Sequence, residues 1–159
     1  MAQYEVSRVS VKAVTHLNRS SWSLLSGGVT SPRGFQASGI AAGLKASGKA
    51  DLALLLAPGN AVCTGVFTKS VTRAACIDLA IQRLQLTGGN VRAVLINSGQ
   101  ANACTGNRGL VDTLKVTEVL AGLLGLEVDQ VLMCSTGVIG VPIPVQKLLP
   151  AFPPLVQGL

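Results

Sequence analysis

Two short stretches hold residue types and spacings suited to chemistry. The first is Ser135-Thr136-Gly137-Val138-Ile139-Gly140-Val141-Pro142. A threonine hydroxyl followed by a glycine amide is a pair of donors fit for a developing oxyanion, and glycine lets a reacting group come close to the backbone. The same Thr-Gly dipeptide also simply makes turns. The second is Asn97-Ser98-Gly99-Gln100-Ala101-Asn102-Ala103-Cys104-Thr105-Gly106. It can present many hydrogen-bonding groups to a ligand, or it can tie together its own backbone. Cys104, near a helix start, reads as a nucleophile in one view. With no histidine near it in sequence, a buried structural thiol is the expectation.

The elements around these stretches place them at strand ends. Val91–Ile96 reads as a buried strand, followed by a polar loop over 97–107. Arg108–Leu124 reads as a helix with Leu110, Leu114, Leu120, Leu123 and Leu124 on or near one face and Gly125 just beyond it. Gln130–Cys134 reads as a second strand, followed by a loop over 135–144. This rhythm predicts parallel pairing of the two strands. In open α/β sheets, ligands favour the carboxyl ends of strands, where both loops fall. Upstream, the apolar run 51–57 and the segment 61–68, separated by Pro58-Gly59-Asn60, read as a hairpin rather than a membrane span. Apolar residues at 77, 80, 81 and 84 predict a helix over 74–86, ended by Gly88-Gly89-Asn90. A short helix is expected around 145–152, limited by Pro150.

Composition bounds the rest. The chain has 159 residues, 48% apolar, 13% charged and 3% aromatic, with a mean hydropathy of +0.50. That suits one domain with a real core and excludes a disordered chain. The scarcity of aromatics argues against a nucleic-acid reader built on stacking. His16 is the one histidine, so a Ser-His-Asp triad or a histidine metal site must use it. No Walker A, strand-linked GxGxxG or metal-ligand cluster occurs. Neither a cofactor nor a metal is expected.

The net charge of +6 is uneven. Residues 1–92 carry ten basic against three acidic residues, and residues 93–159 three against four. An anionic ligand near the first half and a scattered solvated face both fit. No run of adjacent Lys and Arg appears, so neither nucleic acid nor a membrane is an expected partner. Cys63, Cys76, Cys104 and Cys134 lack CxxC spacing and read as free thiols in a reducing compartment. Residues 1–26 contain no secretory h-region and read as an N-terminal extension. They also share a serine- and arginine-containing, acid-poor character with organelle transit peptides. The expected location is cytoplasmic, or an organelle matrix if 1–26 act as a transit peptide.

Several long motifs occur in a fixed order: Gly27-Gly28-Val29-Thr30, Pro32-Arg33-Gly34-Phe35, Gly39-Ile40-Ala41-Ala42-Gly43, Asp51-Leu52-Ala53-Leu54, Gly65-Val66-Phe67-Thr68, and the two loops above. Over about residues 27–150 the chain closely resembles the N-terminal (α) part of the arginine-biosynthesis ornithine acetyltransferase family, also called glutamate N-acetyltransferase. Residues 1–26 fall outside the match, leaving 27–159 as the α-chain portion.

The resemblance implies an α/β fold, a layered sandwich of β-sheets and helices. It implies a precursor that cuts itself before a threonine, which becomes the nucleophile at the N-terminus of a β chain and uses its own α-amine as base. Acetyl then passes from N-acetylornithine to that threonine and on to glutamate, with acetyl-CoA as a further donor in some members. The implied partner is the chain's own β chain, in an assembly of two α and two β chains. The family's oxyanion pair falls on Thr136 and Gly137. The family's nucleophile lies in an Ala-Thr-Met-Leu segment that does not occur in this sequence. No nucleophile, cleavage residue or amino-acid-binding residue is therefore carried over, and alone the chain is expected to be catalytically silent. The rival reading is an anion- or nucleotide-binding α/β module.

Overall fold

The computed structural model describes Ser23 and residues 26–159. His16 and nearly all of the 1–26 extension lie outside the described residues. Four strands form one sheet in the order β1 (Gln36–Ile40), β2 (Leu52–Leu56), β3 (Ala93–Gln100), β4 (Val131–Val138). β1 pairs antiparallel with β2, β2 antiparallel with β3, and β3 parallel with β4, as the rhythm after residue 91 predicts. The helices are α1 (Ala75–Thr87), α2 (Gly106–Leu124) and α3 (Val145–Gln157).

The alternation of side chains sorts the sheet into two faces. Leu52, Leu54, Ala93, Leu95, Val131 and Met133 point to one face. They meet Val116, Leu120 and Ala121 of α2 and Leu148, Phe152 and Leu155 of α3, forming the main core. The other face is only partly covered: Leu132 packs with Ala80 of α1 and Val91, but Ile96 remains 41% exposed.

The hairpin expected between 51–57 and 61–68 does not form. The turn does, with Ala61 N–H donating to Pro58 O. However, β1 and β3 already occupy both edges of β2, so the chain after the turn has no edge to pair with. It runs instead toward the end of α1, where Cys63 N–H donates to Gly89 O. α3 also runs well past the expected 145–152. Its prolines at 150, 153 and 154 are exposed, while Leu148, Phe152 and Leu155 on the other side are buried. Packing of that apolar stripe outweighs the local cost of proline.

The buried side of α2 differs from the leucine face expected. Leu114 and Leu123 are 41% and 47% exposed, and Gly109, Thr113 and Thr117 are buried with Val116 and Leu120. The threonines can go inside because their hydroxyls donate back to carbonyls one turn earlier, Thr113 to Gly109 O at 2.7 Å and Thr117 to Thr113 O at 2.9 Å.

Asp51 is the buried carboxylate that shapes the approach to the sheet's polar end. At 4% exposure it accepts the backbone N–H groups of Ala42, Leu44 and Lys45 at 2.7, 2.7 and 2.8 Å. Burial by itself raises its pKa, but these three donors and the Lys45 charge outweigh burial and hold it below the ordinary 3.8. A carboxylate whose folded pKa lies below its unfolded one adds stability above the unfolded value and loses it as pH falls through the folded value. Asp51→Asn should therefore lower stability by roughly 2–3 kcal/mol at neutral pH. It should also flatten the fall in stability below the ordinary carboxylate pKa. Urea unfolding across a pH series checks both, and an unchanged acid slope would remove Asp51 from that role.

Candidate active site

The structure places the two polar stretches side by side. Each predicted strand runs about four residues further than expected, to Gln100 and to Val138. Residues 97–100 and 135–138 are thus paired strand ends rather than loops, with Asn97 opposite Ser135, Ser98 opposite Thr136, Gly99 opposite Gly137 and Gln100 opposite Val138. The added backbone bonds of a parallel pair outweigh the low strand propensity of Asn, Ser and Gly.

Glycine is required at both members of one pair. Gly99 has φ 137° and Gly137 φ 131°. A Cβ on Gly137 would run into the carbonyl carbon and oxygen of Gly99, and one on Gly99 would meet Leu44 O at 3.3 Å. Leu44 is in turn held by Asp51. The carboxylate, the 42–45 loop, Gly99 and Gly137 therefore stand in one contiguous stack.

Thr136 and Gly137 face outward by two different routes. Met133 and Ser135 share the helix-covered face, so Cys134 and Thr136 point to the opposite one, and both are exposed. The backbone of β4 alternates as well. Ala101 N–H donates to Val138 O at 2.9 Å, so even-numbered residues of β4 turn their amides toward β3 and odd-numbered ones turn theirs to the free edge. On that edge Ser135 meets Cys76 of α1. Burial pushes the Cys76 thiol's pKa up, and the backbone of Ser135 pulls it partly back. By the same alternation the next outward amide is that of Gly137, which turns toward the free edge of β4. An exposed hydroxyl on the open face and an edge-facing amide thus stand on adjacent residues.

Most of the polar groups of the 97–106 stretch turn inward. Asn97 is fully buried. Its Oδ1 accepts from Ser135 Oγ at 2.6 Å, and its Nδ2 donates to Gln100 O at 3.2 Å. Asn102, 1% exposed, donates to Thr113 Oγ1 and to Gly109 O, while its Oδ1 accepts from Thr105 Oγ1 and its carbonyl from Ala75 N–H. Of the two readings of this stretch, Asn97, Asn102 and Thr105 follow the one in which it ties its own chain together.

Cys104 departs from the expected buried thiol: it is exposed, with φ 56°. Asn102 takes the interior position, and its many local bonds turn the backbone so that Cys104 faces out. The thiol borders a cleft of about 450 Å³ at the starts of α1 and α2, together with Thr72, Arg73, Asp78 and Thr105. Arg73 is already paired with Asp78 at 2.7 Å, and neither Thr136 nor Gly137 lines this cleft. Thr136 and Gly137 lie instead on β4, the edge strand of the sheet. Sequence reasoning singled out Thr136 and Gly137 as candidate donors. It missed Asn97 and Ser135 as a linked pair, for which strand pairing through residue 138 was the missing signal.

Known proteins place this geometry in context. A model of the ArgJ family matches residues 36–159. The arginine biosynthesis bifunctional protein ArgJ of Parasynechococcus marenigrum (strain WH8102) is 67% identical over 141 residues, covering 89% of this chain and 34% of that protein. Its namesake from Prochlorococcus marinus (strain MIT 9313) is 61% identical over 98% of this chain and 36% of its own length. The chain thus spans about a third of the length of these curated relatives. The crystal structure of Mycobacterium tuberculosis ornithine acetyltransferase complexed with ornithine superposes with a TM-score of 0.79 at 44% identity, over 84% of this chain and 72% of that one. An ArgJ structure from Bacillus halodurans gives 0.75 at 34%, over 79% and 65%. Motif order, a mixed sheet with its polar strand ends paired, and matches over most of the chain agree: it belongs to the ArgJ family.

Proposed function

We propose that this chain supplies the oxyanion-stabilising part of an acetyltransferase that moves acetyl from N-acetylornithine to glutamate. The observation that carries the reading is the adjacent pair of outward donors, the exposed Thr136 hydroxyl and the edge-facing Gly137 amide, in a chain similar to an ornithine acetyltransferase whose crystal structure is complexed with ornithine. The nucleophile is a threonine of a β chain from the same precursor, in an assembly of two α and two β chains. Its hydroxyl adds to the acetyl carbonyl while its α-amine takes the proton. The carbonyl oxygen becomes an oxyanion and is held by Thr136 Oγ–H and Gly137 N–H. Collapse expels the ornithine amine, which receives the proton, and leaves acetyl on the threonine. The glutamate amine then attacks that ester through a second oxyanion at the same donors, freeing N-acetylglutamate and the threonine hydroxyl. The reading calls on no cofactor. Acetyl-CoA enters only as an alternative acetyl donor, and the cytoplasm is the compartment.

The test is a chimaera in which residues 36–159 replace the matching part of the full-length Parasynechococcus marenigrum relative. It should release ornithine from N-acetylornithine in step with N-acetylglutamate formation. Without glutamate, it should accumulate one acetyl group on a threonine, visible by mass spectrometry. A folded chimaera that transfers no acetyl, while the parent relative does, would sink the proposal.

A further inference from the structure

We infer that Asn97 and Ser135 are positioning residues for the Thr136–Gly137 pair, their cross-strand hydrogen bond setting where those two donors stand. The inference rests on the oxyanion reading above. Along the covered face, the earlier registered pairs of β3 and β4 are apolar, Ala93 with Val131 and Leu95 with Met133. At the next pair the face switches to a buried Asn and a Ser joined at 2.6 Å. An apolar contact holds strands together without direction, whereas a short hydrogen bond anchored on a buried amide fixes distance and angle.

The placement of the Asn97 amide favours a role at the donors. Its Oδ1 holds Ser135, the residue immediately before Thr136. Its Nδ2 reaches forward to Gln100 O and spans Ser98 and Gly99, which are the residues registered with Thr136 and Gly137. One buried side chain therefore restrains both strands of the two-residue step that carries the donors. Gly99 and Gly137 face each other with no side chains between them, so this amide is a side-chain restraint acting next to a pair that has none of its own. Donor placement matters steeply, since a misplacement of about 1 Å costs about 100-fold in rate.

Kinetics of the full-length chimaera test this. Ser135→Ala, which removes the hydroxyl with little change of volume, should lower kcat by about 10- to 100-fold with KM within about twofold. Ser135→Thr keeps the hydroxyl and should recover most of that loss. In a Thr136→Ala background, Ser135→Ala should cost clearly less than it does alone, because one of the two donors it positions is already gone. Independent, multiplicative effects of the two substitutions would overturn the inference, as would unchanged kcat in a folded Ser135→Ala protein or failure of Ser135→Thr to restore it. If Ser135→Ala does not fold, Ser135→Cys, which keeps the size with a weak donor, is read by the same criteria. The outcomes separate the two claims. Loss in Thr136→Ala with none in Ser135→Ala rejects the positioning role alone, and no loss in Thr136→Ala rejects the oxyanion reading and the positioning role with it.

Discussion

Thr136→Ala, introduced into a complete acetyltransferase carrying this chain, is expected to lower kcat by about 100- to 1000-fold. KM for N-acetylornithine should stay within about twofold. The split follows from the geometry. The Thr136 side chain is exposed on the uncovered sheet face, so its loss leaves no cavity and breaks no core contact. In the proposed role the hydroxyl serves an oxygen that is fully charged only in the tetrahedral state, so substrate binding gains little from it. Thr136→Ser keeps the hydroxyl and should retain much of the rate. Steady-state kinetics decide the matter: a kcat within about twofold of the parent in Thr136→Ala would remove this residue from the chemistry.

Gly137→Ala should be as damaging to turnover and should also weaken the fold. It retains the backbone N–H and leaves Thr136 untouched, so both donors are still chemically present. What changes is the backbone. The new Cβ would lie against the carbonyl of Gly99, with Gln100 N only 2.8 Å away, at a φ of 131° that side-chain-bearing residues rarely adopt. The strands must part or the backbone must turn, at a cost of about 3 kcal/mol or more. Thermal unfolding should shift down by several degrees while kcat falls about 100-fold or more. Parent-like stability together with parent-like kcat would show that the close approach of Gly99 and Gly137 is dispensable.

Much of the frame was legible from local pattern. The period of apolar residues marked α1 and α2 to within about two residues, and two short apolar runs marked the start of β3 and β4 with their parallel relation. These signals are local, so the sequence carries them directly. The signals that misled were also local. Pro150 argued against a long α3, yet the Leu148, Phe152 and Leu155 stripe continues the helix through three prolines. Apolar residues near 62–67 argued for a strand, yet β2 had no free edge for it. The leucines of α2 suggested its buried face, yet small and hydroxyl residues face the core because they allow close approach. In each case the deciding partner is distant in the chain, so no window of neighbouring residues contains it.

By itself the sequence determined the α/β class, the family, and Thr136 with Gly137 as the residues to examine, because motif order and donor chemistry are properties of the chain. Only the tertiary structure decided how they are presented. Registering 97–100 against 135–138 turned two apparent loops into one paired strand end. It sent the Thr136 hydroxyl to the open face and the Gly137 amide to the free edge, and it turned Asn97 inward onto Ser135. Strand parity governs which way each group points, and parity is set by the partner strand 38 residues away.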